Sequence, residues 1–101
     1  MSFSEELRLA AEQGDLTTSD LARWFDRSRT TVHTWLAGRT PRGLAGNLAQ
    51  ADLIRLQWAI KTHIGLPIPP KLLHSKRVKY VTDIRNAVTK SFGIPGANPS
   101  Q

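Results

Sequence analysis

Apolar residues recur at three-to-four-residue spacing in five stretches of the chain, and capping or breaking residues separate those stretches. In FSEELRLAAEQ, Leu7, Leu9, Ala10 and Ala11 supply a buried side. Ser2 or Ser4 can cap this helix, Ser2 and Glu5 stand at capping-box spacing, and Gly14 is placed to end it. Thr17, with Asp20 three residues on, opens a short second helix through Phe25 whose Leu21, Ala22 and Phe25 share a face. Asp26, Arg27 and Ser28 interrupt it. Ser28 then caps a third helix, RTTVHTWLA, which turns Val32, Trp35 and Leu36 inward and stops at Gly38.

The segment GRTPRG reads as a turn, and a long fourth helix is expected from Asn47 to Ile64, closed by Gly65. Its apolar positions Leu48, Leu53, Ile54, Leu56, Trp58, Ile60 and Ile64 cover more than one stripe. Pro67, Pro69 and Pro70 make LPIPP a stiff connector. Helical character resumes from Lys71, with Val78, Val81, Ile84 or Arg85, Val88 and Phe92 in register. GIPGANPSQ reads as a flexible tail. The expected fold is all-α, with an N-terminal helix-turn-helix bundle over 1–43 and a helical hairpin for packing and oligomerisation over 44–92. The tail occupies 93–101.

Charge sharpens this picture. The 101 residues carry a formal charge of +6 with a pI near 10.6, a surplus that favours a polyanionic partner. Residues 1–17 sum to −3, whereas 18–43 sum to +3, 44–65 to +1 and 66–101 to +5, so one end faces away from a polyanion. No cysteine is present, which excludes disulfides, thiolate metal sites and cysteine nucleophiles. His33, His63 and His74 lack metal-ligand spacing, and no paired carboxylates, phosphate-cradling loop or serine–histidine–acid set appears. Neither an enzyme nor a cofactor or metal site is expected. The chain has no apolar run of membrane-spanning length and no basic signal-like start, so a cytoplasmic protein is expected, in a bacterium or an infected host cell.

In a helix-turn-helix, two short helices cross over a tight turn so that the second can lie in the major groove. Ala22 supplies the small residue at the crossing, Val32 fills the inward site ten residues later, and Trp35, Leu21 and Phe25 complete the wedge. LARWFDRSRTTVHTWLAG, residues 21–38, resembles the helix-turn-helix superfamily of bacterial and phage DNA-binding proteins over about a fifth of the chain. The resemblance implies double-stranded DNA as partner. It implies base contacts from Ser28, Arg29, Thr30, His33 and Thr34, and phosphate contacts from Arg27, Thr31, Arg39 and Arg42. Where that superfamily commonly has glycine and an aliphatic residue in the turn, this chain has Asp26 and Arg27. Asp tolerates the left-handed conformation, and Trp24 is expected to lean over the gap while Arg27 turns outward.

Arg39 and Arg42 in GRTPRG can track the backbone or enter the minor groove. A second basic cluster includes Lys76, Arg77 and Lys79 and can add affinity along the backbone. A single module buries too little DNA for high specificity, so a homo-oligomer built through 44–92 is expected. The leading expectation is a phage or bacterial transcriptional regulator that binds a specific operator. The alternative is the DNA-recognition subunit of a phage genome-packaging machine, similar to small terminase subunits. There a helical hairpin builds a ring and a flexible tail meets a protein partner.

Overall fold

The computed structural model describes residues 2–92, and all the regular structure among them is helical. The helices are α1 (Phe3–Gly14), α2 (Thr18–Phe25), α3 (Arg29–Leu36), α4 (Gly43–Lys61) and α5 (His74–Phe92). The tail expected over 93–101 lies outside the described residues, as does the Phe92 side chain. No helix among the described residues is long and apolar enough to cross a membrane.

The first two helices start with reciprocal capping boxes. Ser2 and Thr17 accept from the N–H groups of Glu5 and Asp20, whose carboxylates accept from the Ser2 and Thr17 N–H groups in return. The hydrogen bonds from Ser2 hold the Glu5 carboxyl below its ordinary pKa.

Four helices end alike. At each C-terminus one residue is left-handed, and two N–H groups fold back onto the last turn. For α1 the left-handed residue is Asp15 (φ 54°), with Leu16 N–H donating to the Ala11 carbonyl. For α2 it is Asp26 (φ 54°), with Arg27 N–H on Ala22. For α3 it is Gly38, with Arg39 N–H on Thr34, and for α4 it is His63 (φ 57°), with Ile64 N–H on Ala59.

Gly14 ends α1 as expected, as its last helical residue buried against Leu16, while Asp15 takes the left-handed position that follows. Two other sequence expectations change. The fourth helix does not run from Asn47 to Ile64. It starts at Gly43, after Arg42 as N-cap, and takes Gly46 into its first turns; it ends at Lys61, because His63 turns the chain before Gly65 can. Leu9 is 39% exposed rather than buried, since Phe3, Ser4, Leu7 and Ala10 occupy the inner side of α1.

One apolar cluster runs through all five helices, from Phe3 and Leu7 through Leu21, Phe25, Val32 and Trp35 to Leu53, Leu56, Val81 and Val88. Ile84, not Arg85, takes the inward register on α5. LPIPP is more than a connector. Leu66 and Ile68 are buried in the same cluster, and Ile68 N–H donates to the Gly14 carbonyl, closing the end of α1.

Arg77 fastens α5 to the rest. Its guanidinium forms a two-pronged ion pair with Asp20 and also donates to the Asp15 carbonyl. Burial alone raises the Asp20 pKa, but the Arg77 and Thr17 hydrogen bonds outweigh it and hold the carboxyl below its ordinary value. The same pairing raises the Arg77 pKa further.

Removing Arg77 strands a buried carboxylate, so Arg77→Ala is expected to cost about 3 kcal/mol in urea unfolding at neutral pH. A depressed carboxyl pKa contributes stability that is complete above about pH 4, the unfolded value, and is lost as pH falls through the folded one. The gap between wild type and Arg77→Ala therefore narrows below that pH; a constant gap would show that the pair is not its source. At the end of α4, His63→Gly is expected to raise stability by about 0.5 kcal/mol, because glycine removes the left-handed penalty that histidine bears there.

Candidate nucleic-acid interface

The α2–α3 pair owes its shape to three rings and one turn. Phe3 of α1, Phe25 of α2 and Trp35 of α3 meet edge to face, with centroids 5.4–6.5 Å apart. Ser4 Oγ donates to the Trp35 carbonyl, and Arg8 Nη1 donates to the Leu36 carbonyl, so α1 also holds the C-terminus of α3. In the turn, Asp26 is left-handed and Arg27 points to solvent, bonding only the Asp26 carbonyl. Trp24 is buried at 2% exposure, with its indole N–H donating to the Asp52 carbonyl of α4.

With Val32 and Trp35 held inside, the other side of α3 stands free. Ser28, Arg29, Thr30, His33 and Thr34 are all exposed, and Thr31 is half-buried. No acidic residue lies between Arg27 and Gln50. The hydroxyls have unequal roles. Ser28 Oγ caps the helix by accepting from Thr31 N–H and lies 3.0 Å from Thr31 Oγ1. Thr34 donates its hydroxyl proton to the Thr31 carbonyl, which leaves its acceptor lone pairs and methyl for an outside group. Thr30 and His33 line a shallow concavity with Thr18 and Arg29. Arg29 makes one long contact, 3.5 Å, with Ser19 Oγ of α2.

Beyond the end of α3, Thr34, Ala37, Gly38, Arg39, Thr40 and Arg42 line an open groove. Arg39 and Arg42 are exposed there and belong to no ion pair among the described residues. The backbone of this loop is fixed from below, since a Cβ on Gly46 would stand 2.7 Å from the Pro41 carbonyl oxygen.

The second basic cluster behaves differently. Lys76 is exposed, and Lys79 is exposed and paired with Asp83 one turn on, but Arg77 turns inward onto Asp20. Arg23 is a candidate that the sequence reading passed over. It is exposed on α2 and lines a groove with Ser19, Asp26, Arg27 and Arg29, beside the Asp20–Arg77 pair. The spacing of Ser19 and Arg23, four residues apart within the expected second helix, was the available signal, because it places them along one side of that helix.

The carboxylates explain why so many arginines stand free. Asp20 is held by Arg77, Asp52 by Arg55 and Asp83 by Lys79, while Glu5 closes a capping box and Glu6 accepts from Gln57. None of these acids reaches Arg23, Arg29, Arg39 or Arg42 in an ion pair. Among the described residues no group of three or more His, Asp or Glu side chains could hold a metal ion.

No protein-family model, no curated protein and no solved structure matches the chain.

Ser28 carries the start of α3, so Ser28→Ala is expected to cost about 1 kcal/mol of stability in thermal or denaturant unfolding. Ser28→Asp, which restores a capping acceptor, should recover most of that loss. Equal losses in both variants would mean that the cap bond is not what matters.

Proposed function

We propose that α2 and α3 form a helix-turn-helix that binds double-stranded DNA with sequence preference, and that the chain acts as a phage or bacterial transcriptional regulator. The observation that carries this reading is the outer face of α3. Five exposed polar or basic side chains stand on it, while Val32 and Trp35 hold the helix from behind. An α-helix with this kind of face fits the major groove of B-DNA, where side chains meet distinct donor and acceptor patterns.

In this reading Arg29 offers a bidentate donor pair to guanine O6 and N7, and Thr30 and Thr34 present hydroxyl and methyl groups to neighbouring bases. Arg27, Arg39 and Arg42, with Arg23 and Thr31, contact phosphates. The free N–H groups and positive dipole end at the start of α3 favour a phosphate there as well.

Titration of duplex DNA at several salt concentrations tests the reading. Affinity should fall linearly on logarithmic axes as salt rises. Arg39→Ala and Arg42→Ala should each weaken binding to all sequences and lower the salt slope by about 1. Arg29→Ala should cost about 1–3 kcal/mol and relax the choice of base at one position. Absence of binding at low salt, or indifference to Arg29→Ala and Thr30→Ala together, would sink the assignment.

A further inference from the structure

Where α5 meets α2, a groove is lined mostly by arginine. Arg23 of α2, Arg27 of the turn, Arg29 of α3 and Arg77 of α5 border it, against two carboxylates, Asp20 and Asp26. Ala22 and Val78 add a small apolar part, and the groove offers about 390 Å3 of space open to solvent.

The four arginines are not equivalent. Arg23, Arg27 and Arg29 are exposed and belong to no ion pair among the described residues. Arg27 gives one N–H to the Asp26 carbonyl and Arg29 makes the 3.5 Å contact with Ser19 Oγ, so most of their donors are unused. Arg77 is taken up by Asp20, which is only 6% exposed. Burial works to raise the Asp20 pKa, yet the Arg77 and Thr17 hydrogen bonds keep the carboxyl ionised at neutral pH. An anion entering the groove therefore meets a fixed negative charge that Arg77 cancels.

The donors select the anion. Guanidinium groups arrive from α2, from the turn and from α3, more of them than the two oxygens of one carboxylate can serve, whereas a tetrahedral phosphate presents oxygens in several directions. The space exceeds a bare phosphate and leaves room for the group esterified to it.

We infer that this groove binds the phosphate of a phosphate ester, gripped by Arg23 and Arg27 with Arg29 on the side toward α3, and that Arg77 makes it a site by cancelling the Asp20 charge. Arg77 is a positioning residue, since it bonds Asp20 and not the anion. Arg29 also lines the concavity with Thr30 and His33, so it stands between the phosphate site and the face of α3. The site stands on the groove alone. Only the source of the ester, a DNA backbone or a free phosphorylated molecule, rests on the DNA reading.

Titration of the full chain with inorganic phosphate, against chloride at matched ionic strength, tests the site without DNA. The guanidinium NMR signals of Arg23, Arg27 and Arg29 should shift and saturate with phosphate but not with chloride. Arg23→Ala with Arg27→Ala should abolish the response of Arg29. Shifts that chloride reproduces, or that survive this double substitution, overturn the site.

Charge substitutions test Arg77, in variants whose folding at the titration temperature is checked by circular dichroism. Arg77→Met leaves the Asp20 charge unopposed and should weaken phosphate binding about tenfold. Asp20→Asn keeps an acceptor for Thr17 N–H and removes the opposing charge, so it should tighten phosphate binding about tenfold. It should nevertheless lower stability in urea, because it breaks the ion pair. A purely structural Arg77 would lower affinity and stability together in both variants. Asp20→Asn with Arg77→Met removes both charges and should return affinity close to the wild-type value. Affinity unchanged in all three variants, or lowered in all three, overturns the role of Arg77.

Duplex DNA distinguishes the two sources. A backbone phosphate in the groove makes DNA affinity follow the same order, Asp20→Asn tightest and Arg77→Met weakest. DNA affinity that ignores these substitutions, while phosphate binding follows them, assigns the groove to a free phosphorylated molecule and leaves the DNA reading intact. Saturable phosphate binding in a chain that ignores DNA defeats the DNA reading and leaves the site standing.

Discussion

The guanidinium of Arg77 is where the fold is tied together. Its two prongs on Asp20 and its bond to the Asp15 carbonyl bring three separated pieces of chain to one point: the end of α1, the start of α2 and the first turns of α5. Asp20 is also half of the capping box that starts α2, so the carboxylate that begins one helix holds the last helix in place. A buried ion pair of this kind can be poorer in energy than apolar packing, but it fixes register, because only one rotation of α5 presents Arg77 to Asp20. With that rotation set, Val81, Ile84 and Val88 face the core.

What the clamp fixes at one end of α2, aromatic packing fixes at the other. Phe25 closes α2 against Phe3 and Trp35, and the left-handed Asp26 turns the chain sharply enough for α3 to begin three residues later. The outer face of α3 is free because α1 carries the load from behind. Arg8 bonds the Leu36 carbonyl at the end of α3, and Ser4 adds a second donor to the Trp35 carbonyl, which also accepts from Gly38 N–H. A short helix held at both ends can present side chains at fixed spacing, which a free eight-residue helix in water cannot do.

Much of this was legible in the sequence, and what was not has a common cause. The caps at Ser2, Thr17 and Ser28 and the inward set Leu21, Ala22, Phe25, Val32 and Trp35 follow from local rules that act within one turn of helix. The end of α4 was misplaced because Gly65 was taken as its terminator. His63 adopts the left-handed conformation instead, and nothing local separates it from neighbouring polar residues. The roles of Arg77 and Trp24 were illegible for another reason. Their partners, Asp20 and the Asp52 carbonyl, lie 57 and 28 residues away, and no periodicity encodes a contact at that range. Leu66 and Ile68 were hidden by the prolines between and beyond them, which obscure any helical or strand period although both side chains pack in the core. Of the candidate site, the α3 face was readable because exposure follows directly from the inward positions; Arg23 needed the adjoining groove to become visible.

The distribution of acids links scaffold to surface. Three aspartates hold a basic partner, and each of these pairs is made by residues of α2, α4 or α5, none by a residue of α3. Asp52 shows the limit of this arrangement. Burial raises its pKa against the opposing pull of Arg85, Arg55 and Arg27, and Arg55 Nε beside it is buried without a hydrogen-bond partner. In contrast to Asp20, a raised carboxyl favours the fold more as pH falls through its folded value, so the two aspartates act oppositely in mild acid. Arg27 exerts the weakest of these pulls, from an exposed side chain that bonds only the Asp26 carbonyl, so the positive charge of the α2–α3 turn is left to the surface while Arg55 and Arg85 face the buried carboxylate.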